Sequence, residues 1–94
     1  MDDTDDTFCW QLLAEAIVRQ ACADYDTALR QRRRQPAQPR WPARCKAHRD
    51  FFHSDWFDTL STLNGPSLEA AVRRYAETPG TVPLRDAQDP LPWG

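Results

Sequence analysis

No run of apolar residues in this 94-residue chain approaches the roughly 18 needed to cross a bilayer. Its opening, MDDTDDT (Met1–Thr7), is acidic where a secretory leader would be basic. Both features lead us to expect a soluble protein of the bacterial cytoplasm, with no membrane partner. Cysteine is scarce: Cys9, Cys22 and Cys45 are odd in number and widely spaced, a poor disulfide framework, so reduced thiols are expected. Lysine is nearly missing, since eleven of the twelve basic residues are arginine. Apolar residues make up 40 per cent of the chain, below the usual share for a soluble domain, and eight prolines take much of its length out of regular structure. The ordered core should therefore be small, and a chain of this size buries only about 60 to 65 per cent of the surface it exposes when unfolded. There is no G-x-S-x-G elbow, helix-turn-helix pairing, zinc finger, RNP motif or internal repeat.

What is present is helical periodicity. From about residue 6 to 33 the chain reads as one long helix, with acids at its start and arginines at its end to suit the helix dipole. Cys9, Leu13, Ile17, Ala21, Tyr25 and Leu29 recur every four residues, and Trp10 and Ala28 widen that stripe into a core-facing band. Glu15 with Arg19 and Asp26 with Arg30 are i,i+4 pairs expected on the outer surface. The stretch RQPAQPRWP, Arg34 to Pro42, holds three prolines and reads as a linker with Trp41 as an anchor.

Pro42 can open a second helix over about 42–63, in which Cys45, Phe52, Trp56, Leu60 and Leu63 form the apolar stripe and Phe51 and Phe57 lie at its margins. Ser54 and Asp55 are cap-type residues, so a break near position 54 is expected. NGPS, Asn64 to Ser67, starts a third helix over about 66–77 with Leu68, Ala71, Val72 and Tyr75 on one face, and TPG at Thr78 to Gly80 ends it. The expected fold is all-α: a small domain of three or four helices spanning 1–79, with a long first helix, a proline-rich linker and an extended proline-rich tail over 80–94. That tail can fold back through Leu84, Leu91 or Trp93.

Three constellations could carry chemistry. His53, Ser54 and Asp55 are the residue types of a hydrolase triad, but sequence neighbours point in different directions, and Ser54 as a helix cap is the simpler reading. Cys45, His48 and His53, with Cys22 or Cys9, offer zinc-ligand types. Cys45 and His48 share a face while His53 falls elsewhere, and the paired C-x2-C spacing is missing, so we expect no metal and no cofactor. The aromatic cluster Phe51, Phe52, Trp56 and Phe57 reads as core, with Phe52, Trp56 and Leu60 against Leu13, Ile17 and Tyr25. The most function-like feature is charge segregation. Residues 30–49 hold eight of the twelve basic residues and no acid, while four of the fourteen acids lie in the first six positions.

The segments AIVRQACADYDTALR (Ala16–Arg30, with Ala16, Asp24, Tyr25 and Arg30 as its marks) and FFHSDWFDTLSTLNGPSLEAAVRRY (Phe51–Tyr75, opening on an F-F-x-S-x-W-F-x-x-L block at Phe51 to Leu60) resemble small helical proteins encoded by phages and prophages of gut Firmicutes. The resemblance covers a little under half of the chain; the proline-rich linker and tail depart from it. It implies a mobile-element origin and a fold, and it carries no catalytic residues. We therefore expect a non-enzymatic, stoichiometric protein-binding protein of phage type, an inhibitor of a host defence complex such as a CRISPR effector. Its contact residues would be Arg30, Arg32, Arg33, Arg34, Arg40, Trp41, Arg44 and Trp93. The alternative is an accessory nucleic-acid-binding protein in phage replication or regulation, whose Arg30–Arg49 segment holds phosphates without reading sequence. A homodimer would cover apolar surface that so long a first helix leaves open.

Overall fold

The first helix, α1, runs from Asp3 to Arg34, longer at both ends than periodicity alone marks. At 1.5 Å per residue it is about 48 Å long, against a longest molecular dimension of 53 Å. The computed structural model describes the backbone of residues 3–87 and the side chains of residues 10–86. The described residues are all-helical, with α2 over Arg40–Phe52, α3 over Asp55–Leu60, α4 over Gly65–Glu77 and a single turn, α5, over Leu84–Ala87. The fold is a bundle: α2, α3, α4 and α5 all pack on α1.

The core-facing stripe of α1 is rotated from the one its four-residue repeat marks. Ala14, Val18, Tyr25, Ala28 and Leu29 are buried, whereas Leu13 is 54 % exposed and Trp10 also faces outward. Ile17 and Ala21 pack at the margin of the core. The side chain of Cys9 lies outside the described residues. The band shifts because the elements that pack on α1 lie on its 14/18/25/29 side.

Beyond Arg34 the helix cannot continue into Pro36, which disfavours helical backbone at Gln35. α2 begins at Arg40, two residues before Pro42, because a proline in the first turn loses no helical hydrogen bond. It ends at Phe52. The chain then breaks at His53–Ser54, and Ser54 caps α3: its Oγ accepts from the Phe57 N–H at 3.3 Å and donates to the Phe51 carbonyl at 2.6 Å. This break re-phases the apolar pattern. A continuous helix would carry Trp56 inward with Phe52, but α3 starts afresh at Asp55 and turns Phe57 and Leu60 to the core. Phe57 is 0 % exposed and Trp56 is 53 % exposed. Leu63 falls in the loop after α3 and is exposed as well.

Asn64 caps α4 by accepting the Ser67 N–H at 2.9 Å. The first residue of α4, Gly65, lies so close to α2 that a Cβ there would overlap the Phe52 carbonyl oxygen and press on the Phe57 ring. The buried face of α4 is Gly65, Glu69, Val72 and Ala76; Ala71, expected inward, is exposed. The centre of the core is aromatic: Tyr25, Phe51, Phe52 and Phe57 stand with ring centroids 5.6 to 5.7 Å apart in tilted and edge-on pairs. Gly80, at φ +81°, takes the left-handed conformation that lets the chain turn back after Pro79. The segment beyond it is not extended throughout, because Leu84 to Ala87 coil into α5 with Leu84 against the core. Leu91 and Trp93 lie outside the described residues.

Candidate functional site

The basic segment divides in the folded chain. Arg30, which the sequence groups with the contact residues, turns inward, whereas Arg33 stays exposed and reaches across to the end of α4. Asp26 is 0 % exposed, so the Asp26–Arg30 pair is no surface feature as its spacing suggested. Arg30 Nε donates to both Asp26 carboxylate oxygens at 3.0 and 3.1 Å, and its terminal nitrogens donate to the Thr81 carbonyl at 3.1 Å and Thr81 Oγ1 at 2.8 Å. Its guanidinium also lies over the Tyr75 ring. The second oxygen of Asp26 accepts the Leu84 N–H at 2.9 Å. This buried pair is a clamp that fastens the segment after α4 to α1. Arg33 donates to the Ala76 carbonyl near the end of α4. Arg32 is half-buried near Cys45, where burial pushes the thiol pKa up and the charges of Arg32 and Arg49 oppose the rise.

Trp41 and the two arginines beside it form a corner at the surface. Arg34, Arg40 and Arg44 are exposed, and Trp41 is half-buried at the edge of the core. The Trp41 ring is flanked by two guanidiniums, Arg40 at 4.7 Å and Arg44 at 5.4 Å from its centroid, and its Nε1–H donates to Gln35 Oε1 at 2.9 Å. These contacts fix the ring and both charges on the first turns of α2. Trp93 lies outside the described residues and is not placed in this corner. Trp41 and Arg44 also form one end of a cleft between α2 and α1, with Asp24 and His48 along its length. The cleft continues past the same two residues onto an apolar stretch of Ile17, Ala21 and Phe51. Burial lowers the His48 pKa; Asp24 opposes that and Arg44 adds to it, so at neutral pH the ring is uncharged.

The second polar cluster was not anticipated from the sequence. Glu69 lies in the buried stripe of α4, where its carboxylate accepts from Tyr25 Oη at 2.9 Å and pairs with His53 Nε2 at 3.2 Å and Arg73 Nε at 3.7 Å. Burial alone would push its pKa up, but the hydrogen bonds from His53 and Tyr25 and the Arg73 charge outweigh it and hold the carboxyl below its usual range. The available signal was positional: Glu69 stands four after Gly65 and three before Val72, on the face that must be buried. The triad types at 53–55 do not assemble, since Ser54 Oγ is committed to the cap of α3 and Asp55 faces solvent. No group of three metal-ligating side chains occurs among the described residues, and no helix among them is long and apolar enough to cross a membrane.

No family model, curated protein or solved structure matches this chain.

Proposed function

We propose that the protein acts by stoichiometric binding, and that the corner built by Arg40, Trp41 and Arg44, together with the exposed Arg34, is its contact surface for an acidic protein partner. The observation that carries this reading is the fixed Arg40–Trp41–Arg44 stack at the mouth of the α1–α2 cleft. An aromatic ring with two guanidiniums packed on it offers apolar area and charge with few torsions left to freeze, the composition from which interface hot spots are built. The cleft beyond it would take an apolar side chain from the same partner. The phage-like motifs give the biological reading: an inhibitor that covers a subunit of a bacterial defence complex such as a CRISPR effector, in the host cytoplasm.

Nucleic acid is the second reading, favoured by the same three exposed arginines and by a ring on which a base could stack. One experiment separates the two. Tagged wild-type protein and the R34E/R40E/R44E variant are used to capture partners from bacterial lysates that carry defence systems, with and without nuclease. A defined protein complex that survives nuclease and is lost with the charge-reversed variant supports inhibition by protein binding. Capture lost on nuclease treatment moves the corner to the nucleic-acid reading. Equal capture by both proteins removes the corner as the contact surface.

A further inference from the structure

The cleft between α1 and α2 has the shape that a third helix would fill. Its α1 wall is formed by Ile17, Ala21, Asp24 and Ala28, and its α2 wall by Trp41, Arg44, His48 and Phe51. Each set steps by three or four residues, so each wall is one helix face. Ala28 meets Trp41 and Arg44 at one end and Ile17 meets Phe51 at the other, so the two helices run antiparallel. From Ile17 to Ala28 the cleft is about 16 Å long, the rise of about three helical turns.

Two properties narrow what can occupy it. The walls offer side chains and no free backbone, because helical amides and carbonyls are bonded within each helix. An extended segment would find no edge to pair with, whereas a helix arrives with its own backbone bonds made. Charge is also uneven along the cleft. Arg40 and Arg44 stand on Trp41 at one end, where the first turn of α2 adds the positive end of its dipole. Exposed Asp24 lies midway, and Ile17, Ala21 and Phe51 make the far end apolar.

We propose that the occupant is an acidic amphipathic helix of the protein partner, about three turns long, lying parallel to α1 with its C-terminal end at Arg40 and Arg44. This rests on the reading of the Trp41 corner as a protein-contact surface and adds the form and direction of what is bound. In that seating one apolar side chain fills the end at Ile17, Ala21 and Phe51, and another, about two turns on, covers Trp41 and Ala28. Carboxylates in the last turn meet the two arginines, as do the partially negative carbonyls of a helix C-terminus. Opposite Asp24 the helix carries no acid, since like charges would repel there.

The probe is a display library of random peptides about 16 residues long, enough for three turns with flanks, selected on the full-length protein. Two variants block the cleft at exposed positions: Gln20→Trp at the apolar end and Ala47→Trp at the basic end, with thermal melts to check that each stays folded. Enriched peptides are expected to lose about tenfold or more in affinity on either variant. They should carry apolar residues at helical spacing and Asp or Glu at their C-terminal end, and the R40E/R44E variant should turn that preference to Lys or Arg. Proline-rich or strictly alternating sequences, acids at the N-terminal end, or no enrichment at all would overturn the helical seating. Peptides lost on R34E/R40E/R44E but indifferent to both tryptophans would overturn it while keeping the arginine corner as the contact surface. Indifference to every variant would count against both.

Discussion

The carboxylate of Glu69, with 5 % of its side chain exposed, is met by Tyr25 of α1, by His53 of the α2–α3 break and, within α4, by Arg73 one turn on. Tyr25→Phe removes a buried hydrogen bond to a charged acceptor and should lower unfolding free energy by about 1.5 to 3 kcal/mol in urea denaturation. Burial, helped by the same contact, pushes the Tyr25 hydroxyl up to about 12. Its contribution is therefore complete below the ordinary tyrosine value and fades as pH rises towards 12. The two aromatic neighbours of α3 give the sharpest contrast. Phe57→Ala should cost about 3 to 5 kcal/mol by emptying the centre of the core, whereas Trp56→Ala should cost less than about 1 kcal/mol. Thermal melts of the two variants would check this, and a Trp56 variant as damaged as the Phe57 variant would place the indole inside.

Between elements, stability rests on close approach and on capping. Gly65 lets the start of α4 sit on the last carbonyl of α2, with no room for a methyl group. Gly65→Ala must push the two helices apart, and a cost of about 3 kcal/mol is expected, near the upper end for overpacking. Ser54→Ala should cost about 1 kcal/mol through loss of the α3 cap. The Asp26–Arg30 clamp acts at the same scale, since it holds Thr81 and Leu84 and so ties the segment between α4 and α5 to α1. Asp26→Asn weakens the pairing to Arg30 and should raise hydrogen exchange at Leu84 to Ala87 well before it affects the core of α1.

For the molecule as a whole, two depressed pKa values define its acid limit. Both Glu69 and His48 titrate below their ordinary values in the folded chain, so each contributes stability that is present above its unfolded pKa and lost as pH falls through the folded one. Stability should decline below the ordinary histidine value of about 6.5 as the half-buried His48 is forced to charge, and again as Glu69 takes up a proton. His48→Gln should flatten the upper part of that decline in melts recorded from pH 7 to 5. Binding through the arginine corner should weaken as salt rises, because Arg34, Arg40 and Arg44 are exposed and screened.

The four longer helices and the breaks between them were legible because each rests on local chemistry: the periodicity of α1, the prolines after Arg34, the Ser54 cap and the Asn64–Gly65–Pro66 start of α4; the single turn of α5, in a stretch read as extended, was not. Phase was less legible. Trp56 and Phe57 differ by one position, and only the few degrees of freedom at His53–Ser54 decide which of them enters the core. Of the candidate contact residues, Arg40, Trp41 and Arg44 form a surface corner and Arg34 is exposed, while Arg30 is taken inward and the exposed Arg33 reaches the end of α4. Charge runs look uniform in a sequence, but the second partners of these two arginines, Thr81 and Ala76, lie 51 and 43 residues away. The sequence by itself thus determined the all-helical character and the breaks after Arg34 and near Ser54, since those depend on neighbours within a turn or two. Tertiary structure alone decided which polar groups are buried and which arginines remain free, because a charge can be taken from water only where distant residues supply its hydrogen bonds.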